Sequence, residues 1–489
     1  MSFKIHNFLF KNQTIKLSNY QNSNKEHIFT IITGKNGVGK TQLLTSIVAD
    51  YLKNDINMVK PDFSSPRKII AVSNIKYDNF PIRKKTSKNY YYIGNRPTIT
   101  GLYMNDRYHV FKNLICNENS NIKNICEAFN YLGFNTEVQI KFRTISPTSS
   151  NNAQISEYAN LYEKYSNYFK EDNYTASISN FFERFFDYKF ENYKKNNQKY
   201  IIEIEDEKNN SNYTSSFNYS NEIKFNLKNL SRSNILFLDL LYKLDGLEGH
   251  VKKDDYFRLS SIVHNNKIEI LFKNIYYDFR KQDYSPLDSD LLFLLNYNLL
   301  RINSVYLNTK DGNKNINFTN LSSGQQSLFN IFLGISGVID NNSLICIDEP
   351  EVNLHPEWQT EFILKLQNIF NHISGCHFLI ATHSPQIVAG LKSENGYVLD
   401  LESNILHNSI DYYKKSADYQ LAKLFNAPGY NNEYIIKICL FLLSKIKEQT
   451  NFDKNDLLNL SELKDFQNLL KVDDPVYHLV KEVIFLSEA

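Results

Sequence analysis

Residues 34–41 read Gly34-Lys35-Asn36-Gly37-Val38-Gly39-Lys40-Thr41 and fit the pattern G-x-x-x-x-G-K-[ST]. Position gives the pattern its force. The strand-like run His27 to Thr33 precedes it, and after it Leu43, Leu44, Ile47, Val48, Tyr51 and Leu52 recur at helical spacing. A strand that turns through glycines into a helix aims successive backbone N–H groups, and the positive end of the helix, at one point, which is a cradle for phosphate. Lys40 supplies a point charge to the β and γ phosphates, and the Thr41 hydroxyl reaches Mg2+. Gly34, Asn36, Gly37, Gly39, Lys40 and Thr41 are therefore candidate nucleotide-binding residues, with Thr41 also a candidate metal ligand. The alternative is a glycine-rich turn that matches by accident. With 16 glycines in 489 residues, chance would produce the pattern in roughly one per cent of chains or fewer.

A second run, Leu344-Ile345-Cys346-Ile347-Asp348-Glu349-Pro350, is apolar and ends in adjacent carboxylates. Strands buried on both faces of a parallel sheet read this way, and ligands of such sheets bind at the carboxyl edge. There Asp348 would hold Mg2+ through its water shell, and Glu349 would orient or deprotonate an attacking water. Acidic residues also end strands without doing chemistry, so this run gains its weight from the glycine loop at 34–41.

The totals bound the class. With 42% hydrophobic and 22% charged residues over 489 positions, the chain can bury a large core and more than one structural unit. A net charge of +2 and a pI near 8.0 give neither the basic excess of an obligate nucleic-acid binder nor a large acidic field. Cys116, Cys126, Cys346, Cys376 and Cys439 are scattered, without a C-x-x-C pair or a histidine cluster, and read as reduced thiols of a cytoplasmic protein. The start MSFKIHNFLF lacks a signal-peptide layout. No apolar run nears the roughly 20 residues of a membrane helix, so a soluble chain is expected.

Along the chain, Phe3 to Phe10, Ile15 to Leu17, His27 to Thr33 and Lys68 to Ser73 read as strands. The basic run Arg83, Lys84, Lys85 and Lys88 reads as a solvated loop rather than a DNA site. From about 100 to 300, Asn, Lys, Tyr and Phe dominate. Strand candidates there are Val138 to Thr144, Tyr200 to Glu205 and Glu222 to Leu227; Ile178 to Tyr193 and Asn234 to Leu244 read as helical, and the polar run Lys208 to Ser220 as a loop. No sustained heptad or internal repeat is found. From about 303 the order is a hairpin-like Val305 to Phe318, a helix after Gly324, a strand Leu344 to Ile347, a helix Pro356 to Phe370 and a strand Phe378 to Ala381. Such alternation indicates an α/β sheet. The expected divisions are a nucleotide-binding part at 1–100, a mixed helix and strand insertion at 101–302, the remainder of the head at 303–407, and a helical region at 408–489.

Leu321-Ser322-Ser323-Gly324-Gln325-Gln326 opens a helix 20 or more residues before the acidic strand. It resembles the LSGGQ signature of ABC-type ATPases, and Ala381-Thr382-His383-Ser384-Pro385 is similar to their switch-histidine segment. Alone, the first could be an N-capped helix start and His383 a satisfied histidine at a strand end, but all four elements stand in family order. The resemblance implies an ABC-type P-loop NTPase head of α/β class, with a large mixed α+β insertion between Walker A loop and signature, and a helical C-terminal tail. It implies ATP and Mg2+ as ligands, Thr41 and Asp348 at the metal, and ATP hydrolysis with Glu349 and His383 catalytic. Ser322, Gly324 and Gln325 of one head would close on the γ-phosphate of ATP held by a second. Ser323 stands where the family has its first glycine. Glu351-Val352-Asn353-Leu354-His355-Pro356 resembles the loop that crosses the dimer interface, with His355 structural. No Q-loop glutamine is found, and Ser73-Asn74 takes its place.

The interval from Thr41 to Leu321 is 280 residues, longer than transporter heads use. The phrases E-P-E-V-N-L-H-P and A-T-H-S-P resemble instead the soluble heads of the RecF, SMC, Rad50 and OLD kind. Some of the OLD-like branch continue into a Toprim nuclease, which needs a strand-end glutamate and a D-x-D set. In the 106 residues after His383 no such pattern is seen, and Asp473-Asp474 reads as a solvated loop. Glu203, Glu205, Asp206 and Glu207 read as a solvated strand end rather than a metal site. The stretches Ile70 to Asn74, Asp78 to Phe80, Ser416 to Leu421 and Asn426 to Tyr430 are similar to the ATPase subunit of Septu and of retron-associated Septu-like anti-phage systems. That resemblance implies a homo-oligomer, a head-to-head dimer or higher, that controls a separate HNH-type nuclease. A retron reverse transcriptase with its RNA–DNA product is a further implied partner, and nucleic acid would be met through the complex. The alternative is a RecF-like or Rad50-like DNA-repair ATPase that clamps DNA.

Overall fold

Strand-forming runs from both ends of the chain meet in one sheet. The computed structural model describes residues 3–19, 26–54, 65–75, 78–81, 89–94, 108–116, 121–144, 151–183, 201–205, 212–216, 230–265, 275–280, 286–312 and 314–488. The seven strands lie in the order Ile405–Asn408, Gly396–Asp400, Ile28–Thr33, His377–Ala381, Leu344–Asp348, Ile69–Ser73 and Tyr90–Gly94. The first pair is antiparallel and every other pair parallel. Parallel neighbours need crossover connections, whose helices cover the faces of the sheet. All residues of Ile28–Thr33, Ile69–Ser73, Leu344–Asp348 and His377–Ala381 are accordingly buried.

Alternation decides what each strand residue meets. Ile69, Ala71, Leu344, Cys346, Leu379 and Ala381 pack with Leu43, Leu44, Ile47 and Val48 of the helix Lys40–Asn54. Residues of the other parity face the opposite layer: Phe29 and Phe378 stack at 4.7 Å, and Phe370, which ends the helix Pro356–Ile369, lies 6.1 Å from Phe378. Register then sets the functional edge. Asp348 pairs with Ser73 on one side and Ala381 on the other, and Ala381 in turn with Ile32. The segments that leave these strands, 34–41, 74–75, 349–355 and 382–384, therefore emerge on one side of the sheet.

The chain divides into two compact units, residues 1–136 with 308–489, and residues 137–307. The first holds the seven-stranded sheet and, at its C-terminal end, the helices Glu433–Lys447, Lys454–Gln467 and Pro475–Glu488 around Ile435, Ile438, Leu442, Leu463, Phe466, Val480 and Val483. Asp474 is not the solvated residue its polar surroundings suggest. It is fully buried, and its carboxylate accepts the N–H groups of Asn431 and Val476. Backbone donors at a helix start here replace water.

In the unit 137–307 the aromatic texture becomes a core: Tyr256 lies 5.5 Å from Phe169 and 5.4 Å from Phe237, and Tyr162 stacks on Phe182 at 5.1 Å. Part of the polar run expected to be a loop is a strand, Asn212–Ser216, antiparallel to Ile201–Glu205. Its Tyr-Thr-Ser sequence suits a strand once an apolar partner is present to pair with. The basic run Arg83, Lys84, Lys85 and Lys88, the candidate strand Glu222 to Leu227, and Asp206 with Glu207 lie outside the described residues. Among the described residues no helix is long and apolar enough to cross a membrane. The five cysteines form no disulfide.

Candidate functional site

The loop after Ile28–Thr33 bends through backbone angles that glycine tolerates, with φ of 141° at Gly34, 83° at Gly37 and 108° at Gly39. The bend brings Lys40, the first residue of its helix, back over the loop. The Lys40 side chain is buried, and its ammonium donates to the carbonyls of Gly34 at 3.1 Å and Lys35 at 3.4 Å. Its third donor points at Nε2 of His383, 2.6 Å away. Burial holds the Lys40 pKa below its ordinary value, while Glu349, Asp348 and Glu351 oppose the shift. Burial and the Lys40 charge also lower the His383 pKa against Glu349. A neutral ring results, and its Nε2 can accept from the ammonium.

Thr41 follows with its hydroxyl on Asp348, 3.0 Å and 2.9 Å from the two carboxylate oxygens. Asp348 is 1% exposed. Burial pushes its pKa up to about 7, with Glu349, Asp78 and Glu351 adding repulsion and the Thr41 hydrogen bond opposing. Beside it Glu349 has a φ of 46°, the left-handed region that costs a residue with a side chain about 1–3 kcal/mol. Its N–H is fixed to the Ala381 carbonyl at 2.9 Å. The bend sends the carboxylate to within 3.7 Å of His383 Nε2. Residues from three separate strand ends, Lys40 and Thr41, Asp348 and Glu349, and His383, thus form one cluster.

The segment 321–326 is built differently. Ser322 caps the helix Ser323–Ser336: its Oγ accepts from Gln325 N–H, and Gln325 Oε1 accepts from Ser322 N–H. Gly324 lies hard against the segment that follows Glu349, because a Cβ there would stand 2.6 Å from the Asn353 carbonyl and 2.8 Å from the Trp358 ring. Gly324 is therefore packed against the loop after Glu349, while Ser322 and Gln325 hold each other at the helix start. His355 caps the helix Pro356–Ile369, a structural position. Asn74 follows Ser73 at the same sheet edge, and its amide nitrogen is buried with no hydrogen-bond partner among the described residues.

Two features were invisible to motif reading. The hairpin Asn7–Phe10 and Gln13–Lys16 places Lys11 and Phe10 against the glycine loop, since a Cβ on Gly39 would lie 3.2 Å from Lys11 Nζ and 3.6 Å from the Phe10 ring. Glu351, passed over as part of a loop, accepts the N–H of His383 at 2.5 Å. A lysine at a hairpin turn and a second glutamate in an acidic loop carry no local signature; pairing of distant strands brings both to the site.

Residues 147–389 match the family model described as "AAA domain, putative AbiEii toxin, Type IV TA system". That span, just under half of the chain, takes in Ser322, Gly324, Gln325, Asp348, Glu349 and His383, and starts beyond the glycine loop. That stretch is thus similar to an AAA-type ATPase domain. Among curated proteins it is similar to "Retron Vc95 probable ATPase" of Vibrio cholerae serotype O1 biovar El Tor, 29% identical over 171 residues, 32% of each chain. It is also similar to "Retron Ec83 probable ATPase" of Escherichia coli, 24% identical over 152 residues, 28% of each chain. The chain thus aligns with about a third of the length of the curated relatives it matches.

Proposed function

We propose that this chain binds and hydrolyses ATP as the regulatory subunit of a bacterial anti-phage defence complex, with a separate HNH-type nuclease as effector. The observation that carries the ATP reading is the cluster of Lys40, Thr41, Asp348, Glu349 and His383 at one sheet edge. A triphosphate entering the glycine loop would take over the Lys40 donors now spent on Gly34, Lys35 and His383. Lys11 would add a second cation beside Gly39. Glu349 would accept the proton of the attacking water, and His383 would face the terminal phosphate.

Mg2+ fits the residues present. Asp348 is a buried carboxylate surrounded by Glu349, Glu351 and Asp78, a field that a divalent cation relieves, and Thr41 and Asp348 offer the hard oxygen donors it prefers. Those two residues would hold it, and when bound it supplies charge neutralisation at the phosphates. Among the described residues no group of three or more His, Cys, Asp or Glu could hold a metal by itself, in keeping with an ion shared with nucleotide.

Sharing of sites follows from the signature. Gly324, at the N-terminus of the helix that Ser322 caps, packs against Asn353 of the loop 349–355, so in a head-to-head dimer the two elements would move together toward the partner's nucleotide. The defence context draws on the similarity to two proteins named as retron ATPases; a reverse transcriptase with its RNA–DNA product would be a further partner in this proposal. The test is purification of the tagged chain from its native host, followed by cleavage assays on DNA and RNA. The proposal expects a co-purifying nuclease subunit, cleavage by the complex and none by the isolated chain. Mg2+- or Mn2+-dependent cleavage by the isolated chain that survives Lys40→Ala but dies with Glu203 and Glu205 replaced would overturn it. A nuclease-free protein that clamps DNA ends would favour repair.

A further inference from the structure

Glu351 stands outside the carboxylates assigned to the ion and the water. It lies three residues past Asp348, in the loop that leaves the strand Leu344–Asp348. Its side chain bonds to the loop that leaves the neighbouring strand His377–Ala381: Oε1 accepts the His383 N–H at 2.5 Å. Oε2 is buried with no hydrogen-bond partner among the described residues. A buried acid with one unmatched oxygen is an unfavourable way to fill space. What it achieves here is a charge-assisted bond, short and directional, between the acidic loop and the histidine loop.

The place of that bond matters because the His383 ring has two neighbours to satisfy. Nε2 lies 2.6 Å from Lys40 Nζ and 3.7 Å from Glu349 Oε1. The ring is set by its own backbone, whose N–H is the group Glu351 holds. The loop is otherwise secured on either side of His383, where the Thr382 N–H donates to the Ile32 carbonyl at 3.1 Å and the Ser384 hydroxyl to Gln359 at 2.7 Å.

We propose that Glu351 is a positioning residue for ATP hydrolysis: by holding the His383 N–H it fixes the imidazole between Lys40 and Glu349 at the phosphate end of the site. This rests on the ATP reading above. Displacement of a catalytic group by about 1 Å can cost on the order of a hundredfold in rate. Glu351→Ala should therefore lower kcat by about tenfold or more, with KM changed less than about twofold. Glu351→Gln keeps an oxygen for the His383 N–H and should stay within about threefold of the wild type.

The test is a double-mutant cycle in steady-state ATP turnover, using Glu351→Ala, His383→Ala and the two combined, together with NMR of histidine-labelled, nucleotide-free protein. If Glu351 acts through His383, the double variant is no slower than His383→Ala alone. The His383 ring resonances should shift in Glu351→Ala while those of the other histidines hold, which also shows that the variant is folded. Glu351→Met, of similar length but without an acceptor, serves as a second variant should the alanine protein not fold. Additive rate losses, a raised KM at unchanged kcat, or an unmoved His383 resonance would overturn the proposal. If the wild type hydrolyses no ATP, the ATP reading fails, while the NMR comparison still decides whether Glu351 holds the histidine.

Discussion

Replacing Asp348 by asparagine should stabilise the nucleotide-free protein while disabling it. Asp348 is 1% exposed, and burial together with Glu349, Asp78 and Glu351 raises its pKa from 3.8 to about 7. At 1.36 kcal/mol per pH unit, ionising it in the folded state costs about 4 kcal/mol at most. The sign follows from proton uptake. The folded pKa lies above the unfolded one, so the folded state binds more protons between pH about 4 and about 7. Stability is lost as pH rises through that window and is level above it. Asparagine keeps the shape and one oxygen for the Thr41 hydroxyl, giving up roughly 1–2 kcal/mol of charge-assisted bonding. The expected net gain at pH 8 is roughly 2–3 kcal/mol, seen as a rise in Tm of a few degrees in a thermal melt. At pH 5.5 the gain should shrink by about 2 kcal/mol. With Mg2+ and ATP at about 1,000 times Kd the order should reverse, because such ligand adds about 4.1 kcal/mol to the wild type alone. A variant that melts below the wild type at pH 8 without ligand, or a gap identical at pH 5.5 and 8, would refute the reasoning.

Lys40→Ala should weaken ATP binding by roughly a hundredfold or more in calorimetry, since the glycine loop loses its buried ammonium; unchanged affinity would mean that the loop is not the site. Gly324→Ala should cost about 1–3 kcal/mol by overpacking, because the new methyl would stand 2.6 Å from the Asn353 carbonyl and 2.8 Å from the Trp358 ring. A melt equal to the wild type would show that the helix start can move away from the loop.

What could be read from sequence had local causes. The glycine loop, the strand Leu344–Asp348 and the helix Lys40–Asn54 declare themselves through residue type and spacing, and the register of Asp348 against Ala381 then brings His383 beside Glu349. What escaped depends on pairing between distant segments. Lys11 reaches Gly39 through a hairpin, Glu351 reaches His383 across two strand ends, and Asp474 is buried by backbone donors 43 residues away as well as its own helix. The strand Asn212–Ser216 was missed for the same reason, since its polar residues read as a loop until Ile201–Glu205 lies alongside. The left-handed backbone of Glu349, φ 46°, has no signature in residue type, because glutamate does not favour that region.

The most direct test of the central claim, ATP hydrolysis at this cluster, is turnover per chain over a range of protein concentrations, for the wild type and Glu349→Gln in parallel. The amide keeps the shape of the side chain but cannot take the proton of water. The account predicts Mg2+-dependent hydrolysis by the wild type that rises per chain with concentration as heads pair. The variant should bind ATP with similar affinity, sediment as a dimer and turn over at least about a hundredfold more slowly. Wild-type turnover in Glu349→Gln would contradict the account.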